Sequence, residues 1–181
     1  MNTFNYRRKH KTNYFEGWYV RLLGEENIAV IFGITTNNDK PHAFIQYTNS
    51  KIFKYYEFRL EDVITKDNYV QFGQNILTPD NIYIKTEDVE IDAIFQNTTK
   101  LKKSLINNSI MSFLYYLPLE CYQEVIYLDG EFKQGLKTGN IYMEKTYGRK
   151  FPKEWIWIQS NSFPLTIATA KMPLLFNRCG F

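Results

Sequence analysis

Tyr14-Phe15-Glu16-Gly17-Trp18-Tyr19-Val20-Arg21-Leu22 is the run whose reading decides the fold. Its aromatic and branched residues fit a pleated, half-buried surface, and its apolar positions do not recur at helical spacing. In an extended strand Glu16 shares a face with Tyr14 and Trp18, while Phe15 and Tyr19 lie on the other. An isolated buried carboxylate is very unfavourable. If the Glu16 face lines a cavity, the carboxylate must therefore be paired or hydrogen-bonded. If it faces outward, Arg21 or Lys11 is the natural partner.

Outward from this run the same texture continues. Further strands are predicted at Ile28–Ile34, Ala43–Tyr47, Ile52–Arg59, Tyr69–Phe72, Ile82–Lys85 and Val89–Phe95, then at Glu120–Leu128, Asn140–Tyr147, Trp155–Ser160 and Leu165–Ala170. Turn residues punctuate them: Gly24-Glu25-Glu26-Asn27, Asn37-Asn38-Asp39, Thr78-Pro79-Asp80-Asn81 and Asp129-Gly130. About eleven strands with short links predict an all-β barrel or sandwich built from meanders. One segment breaks the rhythm: Thr98–Asn108 is polar and basic, and Ile110–Leu117 is apolar and aromatic. It reads as an apolar loop or short helix near 105–117, or as an ordinary covered crossover.

The 181 residues suit one domain, 1–181, with no internal repeat or linker to divide it. With 22 Lys and Arg against 19 Asp and Glu the net charge is +3, too small and too dispersed for a nucleic-acid surface. No run of about 18 apolar residues is present to span a membrane, and the N-terminus has no signal-peptide pattern. Two cysteines, Cys121 and Cys179, then suggest reduced thiols and a cytoplasmic location. With His10 and His42 the only histidines and no ligand spacing, neither a metal nor another cofactor is expected.

Further polar sets alternate along the strands. His42, Phe44 and Gln46 share one face, and Ala43, Ile45 and Tyr47 the other. A His and a Gln beside a Phe suit a site that orients a phenol or quinone oxygen, although a lone histidine is more often structural. Trp157, Gln159 and Asn161 project to one side, with Ile156 and Ile158 packing on the opposite one. Glu120 and Tyr122 alternate likewise, as do Tyr142, Glu144 and Thr146. Taken together, these sets describe a barrel face carrying Glu, His, Gln, Asn and Trp.

Six segments occur in an order that resembles the tocopherol cyclase family and its short bacterial relatives. They are Tyr14-Phe15-Glu16-Gly17-Trp18-Tyr19, His42-Ala43-Phe44-Ile45-Gln46, Glu120-Cys121-Tyr122, Glu144-Lys145, Gly148-Arg149-Lys150-Phe151-Pro152 and Trp155-Ile156-Trp157-Ile158-Gln159-Ser160-Asn161. The first and last are the specific ones. The resemblance implies a lipocalin-like antiparallel β-barrel or open barrel of about 10–12 strands. It also implies ring closure of a prenylated hydroquinone to a chromanol, with the chain matching the first half to two-thirds of the family. That reaction needs an acid for the alkene, an acceptor for the phenol proton and a dry aromatic pocket for the cation. Glu16, His42 and Glu120 are the candidates for proton transfer. Trp18, Phe44, Gln46, Tyr122, Trp157, Gln159 and Asn161 are the candidates for substrate binding. The chain departs from the family at Gln123, where a His is usual, and at Thr146-Tyr147, where Asp-Trp is usual.

Two classes of function follow. One is an isomerase acting on a prenylated aromatic through Glu16, His42 and Glu120. The other is a lipocalin-like binder of an isoprenoid, quinone or other lipid, in which the same residues fix a head group. A more distant third is an aromatic-faced sandwich that binds carbohydrate. The expected partner is a hydrophobic small molecule, with peripheral membrane contact compatible. Open barrel edges would also allow a homodimer.

Overall fold

The computed structural model describes residues 4–6, 13–36, 40–100, 121–127, 129–149, 154–160, 165–172 and 175–180. At 121–123, 159, 165–172 and 175–180 the description is of the backbone alone. Among the described residues lie fifteen strands. The first nine are β1 (Phe15–Leu23), β2 (Asn27–Thr35), β3 (His42–Thr48), β4 (Phe53–Phe58), β5 (Val63–Lys66), β6 (Tyr69–Phe72), β7 (Asn75–Leu77), β8 (Asn81–Lys85) and β9 (Glu90–Thr99). They are followed by β10 (Cys121–Tyr127), β11 (Asp129–Gln134), β12 (Lys137–Gly148), β13 (Trp155–Ser160), β14 (Leu165–Met172) and β15 (Leu175–Gly180). A single 3-10 turn, Leu60–Asp62, joins β4 to β5. The expected segment near 105–117 lies outside the described residues.

The predicted all-β barrel is present. Eleven strands run in one antiparallel path, β4-β3-β2-β1-β12-β11-β9-β8-β7-β6-β5, which forms a nearly closed barrel. β12 is long enough to take two partners along the edge away from β1: β11 pairs with its first residues and β10 with its last. β13, β14 and β15 form a separate three-stranded sheet.

Alternation fixes the inside. On β1 the buried residues are Glu16, Trp18, Val20 and Leu22; on β3, Ala43, Ile45 and Tyr47; on β9, Ile91, Ala93 and Phe95. Burying each large apolar side chain contributes roughly 1.5–3 kcal/mol. Phe72 of β6 meets Phe32 of β2 edge-on at 5.2 Å and Phe58 of β4 at 6.0 Å. These rings tie β2 and β4 to β6 across the seam between the two end strands of the path.

The outer face has its own logic at Gly33. A Cβ there would sit 2.2 Å from Phe44 Cζ, so the missing side chain is what lets the Phe44 ring lie flat over β2. Asp129-Gly130, expected as a turn, belongs instead to β11. A Cβ on Gly130 would come within 3.0 Å of both Ile141 Cγ2 and Thr98 Cγ2, so this glycine serves close packing between strands rather than chain reversal. β5, β7, β11 and β15 were not expected from the sequence. The first two are four and three residues long, too short for an alternation signal, and they persist through their ladders to neighbouring strands. Ile156 and Ile158, expected to be packed, are 59% and 53% exposed on β13.

Candidate functional site

The polar centre of the barrel is an ion pair where β1 begins. Glu16 and Lys145 are both fully enclosed, with Lys145 Nζ 2.5 Å from Glu16 Oε1. The antiparallel register explains their meeting. Trp18 is directly opposite Lys145, and Glu16 opposite Tyr147, so all four project to the same, inward face. Lys145 Nζ lies 4.7 Å from the centre of the Trp18 ring and 6.0 Å from that of Tyr147, both within cation–π range. Tyr14 donates its hydroxyl to Glu16 Oε2 at 2.9 Å, and Lys145 Nζ donates to the backbone carbonyl of Asn5 at 2.8 Å. Burial first, and then the charge and hydrogen bond of Glu16, push the Tyr14 hydroxyl well above the ordinary tyrosine range.

The pair sets one carboxylate against one ammonium, on inward strand faces shared with Val20, Val30, Phe32, Ile34 and Met143. Such a pair is held because each charge is compensated, not because the pair itself adds much stability. Chemically it offers a cationic donor, a carboxylate acceptor and a phenol within one hydrogen-bonded chain, all against an indole face.

Among the described residues, three of the other expected ones do not converge there. His42, Phe44 and Gln46 do share a face of β3, but it is the outer one, opposite to Glu16. His42 Nε2 lies 2.8 Å from the Tyr55 hydroxyl and Nδ1 2.9 Å from the Lys40 carbonyl, while Phe44 stacks on Tyr55 at 4.9 Å. The expected single face carrying Glu, His, Gln, Asn and Trp is thus divided across the sheet. Ala43, Ile45 and Tyr47, the more apolar set, take the interior, and Gly33 gives Phe44 a seat outside. Tyr122 lies on β10 in register with Tyr147, and the backbone of Gln159 lies on β13. Glu120 and Asn161 lie outside the described residues.

Trp157 marks a second aromatic cluster, on the outer side of β1 and β12. Its ring meets Tyr19 edge-on at 5.8 Å and Tyr142 at 5.7 Å, and the Arg21 guanidinium lies 5.8 Å from its centre. Tyr142 donates to Glu144 Oε2 at 2.5 Å. Trp157 Nε1 is buried with no hydrogen-bond partner among the described residues. Burial pushes the Tyr19 hydroxyl up to about 12, with Arg21 opposing the shift and Glu144 adding to it.

The Tyr19 shift sets an alkaline limit. Between the unfolded value of about 10 and the folded value, the native state keeps a proton that the unfolded chain has released. This contribution to stability is complete below pH 10 and disappears as the pH rises through about 12. Urea midpoints at pH 9, 10 and 11 should therefore fall, and Tyr19→Phe should make the fall shallower. An unchanged slope in that variant would refute the assignment.

Sequence reasoning did not single out Lys145 or Tyr14 as site residues. A signal for Lys145 existed: Ile141, Met143, Lys145 and Tyr147 alternate onto one face, placing a cation on an otherwise apolar stripe.

No family model matches the chain, and no curated protein matches it. Among solved structures, a Nitrosomonas europaea protein described as a candidate AttH is similar over 91% of this chain and 67% of its own, at 13% identity and a TM-score of 0.49.

Proposed function

We propose that the barrel binds a small hydrophobic molecule whose polar head group is held beside Glu16 and Lys145. One observation carries this reading: a fully enclosed carboxylate–ammonium pair, backed by an indole, in an interior built mainly of apolar side chains. A core with no ligand to recognise gains little from such a pair, because hydrophobic residues of similar volume often serve stability as well or better. The enclosed interior suits a head group that hydrogen-bonds and a body that is apolar.

The second reading is ring closure of a prenylated hydroquinone, as in the tocopherol cyclase family. The chain from Tyr14 through Glu16 to Lys145 favours it, because it couples a phenol, a carboxylate and an ammonium against the Trp18 ring. His42 is on the opposite face of the sheet, so proton transfer would fall to Glu16 without it.

Incubation with a short-chain prenylated hydroquinone separates the two. Saturable quenching of tryptophan fluorescence with recovered, unchanged hydroquinone is the result expected of a binder. A chromanol of unchanged mass, lost in Glu16→Gln, would establish the isomerase instead. Absence of both quenching and product would remove both readings.

A further inference from the structure

Phe4, Asn5 and Tyr6 are in no strand, yet they close the end of the barrel where the ion pair sits. Phe4 is 3% exposed and belongs to the hydrophobic core. The Asn5 carbonyl receives a hydrogen bond from Lys145, 140 residues away in sequence. Across the mouth, the Asn5 side-chain amide donates to the Asp67 carboxylate and the Tyr6 N–H to Thr65 Oγ1 at 3.4 Å. The Tyr6 ring lies 6.0 Å from that of Tyr14. The segment thus spans the mouth from the β5–β6 turn to β1 and β12.

What this segment places in the site has the character of a ligand: an apolar group, Phe4, joined to a neutral carbonyl oxygen on a buried ammonium. We infer that Phe4–Tyr6 is an internal surrogate seated in the head-group site, and that molecules able to displace it bear a neutral acceptor oxygen, as in a ketone, ester or amide. This rests on the binding reading above and adds the occupant and the selectivity.

The selectivity follows from charge. Lys145 is already paired with Glu16, so a neutral carbonyl can replace that of Asn5 without bringing a further charge to the site. A carboxylate in the same seat would put a second anion beside Glu16 in a water-poor enclosure, where like charges are strongly disfavoured. Displacement exposes Phe4, so the ligand must present an apolar body of at least comparable size to fill the space vacated.

A disulfide clamp tests this. In a Cys121→Ser/Cys179→Ser background, Tyr6→Cys with Thr65→Cys can fix the segment over the mouth when oxidised and release it when reduced. Phe4→Ala, made separately, weakens the plug without a cross-link. Binding of 2-undecanone and of undecanoate is measured by titration calorimetry on the native chain, both redox forms of the clamp and Phe4→Ala.

The expected result is at least tenfold tighter binding of the ketone than of the carboxylate by the native chain. Oxidation of the clamp should weaken ketone binding at least tenfold, reduction should restore it, and Phe4→Ala should strengthen it several-fold. Equal ketone affinity in both clamp states and in Phe4→Ala would overturn the surrogate role while leaving the binding reading intact. Equal affinity for ketone and carboxylate would overturn the selectivity. No binding of either probe to any form would remove the binding reading, and this inference with it.

Discussion

Lys145→Met is expected to destabilise the protein by about 3–5 kcal/mol, measured by urea or guanidinium unfolding near pH 7. The variant keeps an apolar chain of similar length, so the cost comes from removing the ammonium paired with the buried Glu16 carboxylate. Adding Glu16→Gln should recover much of that loss, because a neutral amide still accepts from Tyr14 and brings no uncompensated charge. The size of the recovery is the coupling between the two sites. If the double variant were no more stable than Lys145→Met, the ion pair would not be the origin of the effect. Lost packing of the lysine stem on Trp18 would explain it instead.

Phe72→Ala should cost about 3–5 kcal/mol, the usual range for truncating a buried phenylalanine. Phe72 is fully buried and its ring touches those of both Phe32 and Phe58. The change therefore opens a void where β6 faces β2 and β4, at the seam that the backbone ladder does not close. Amide exchange should accelerate first in β4, β5 and β6, ahead of β1 and β2. Uniform acceleration would show that the seam is no weaker than the remainder of the barrel.

Where the sequence was legible, it was so through period-2 alternation. That pattern correctly grouped Glu16 with Tyr14 and Trp18, and His42 with Phe44 and Gln46. Alternation shows which residues share a face but not which face is inside. For β3 the answer came from comparing the two sets: Ala43, Ile45 and Tyr47 bury more apolar surface, and Gly33 leaves room for Phe44 outside. The pairing of Glu16 with Lys145 was beyond local reading. Arg21 and Lys11 are neighbours in sequence, whereas Lys145 arrives through the pairing of β1 with β12, which is a property of the closed topology. The same limit applies to Asn5, whose contribution is a backbone carbonyl that no residue type announces.

The β1–β12 pairing also bears on how the chain is made. β1 to β4 can zip together as successive hairpins as they leave the ribosome, but the free edge of β1 must wait until residues 140–148 have emerged. Until then Trp18, Val20 and Leu22 lie on a nascent sheet lacking one neighbour. Such long-range closure is slow, and it leaves the growing polypeptide open to association with other unfinished copies. A need for chaperones during translation, easing once β12 is out, is expected of a barrel whose first strand pairs with one so distant in sequence.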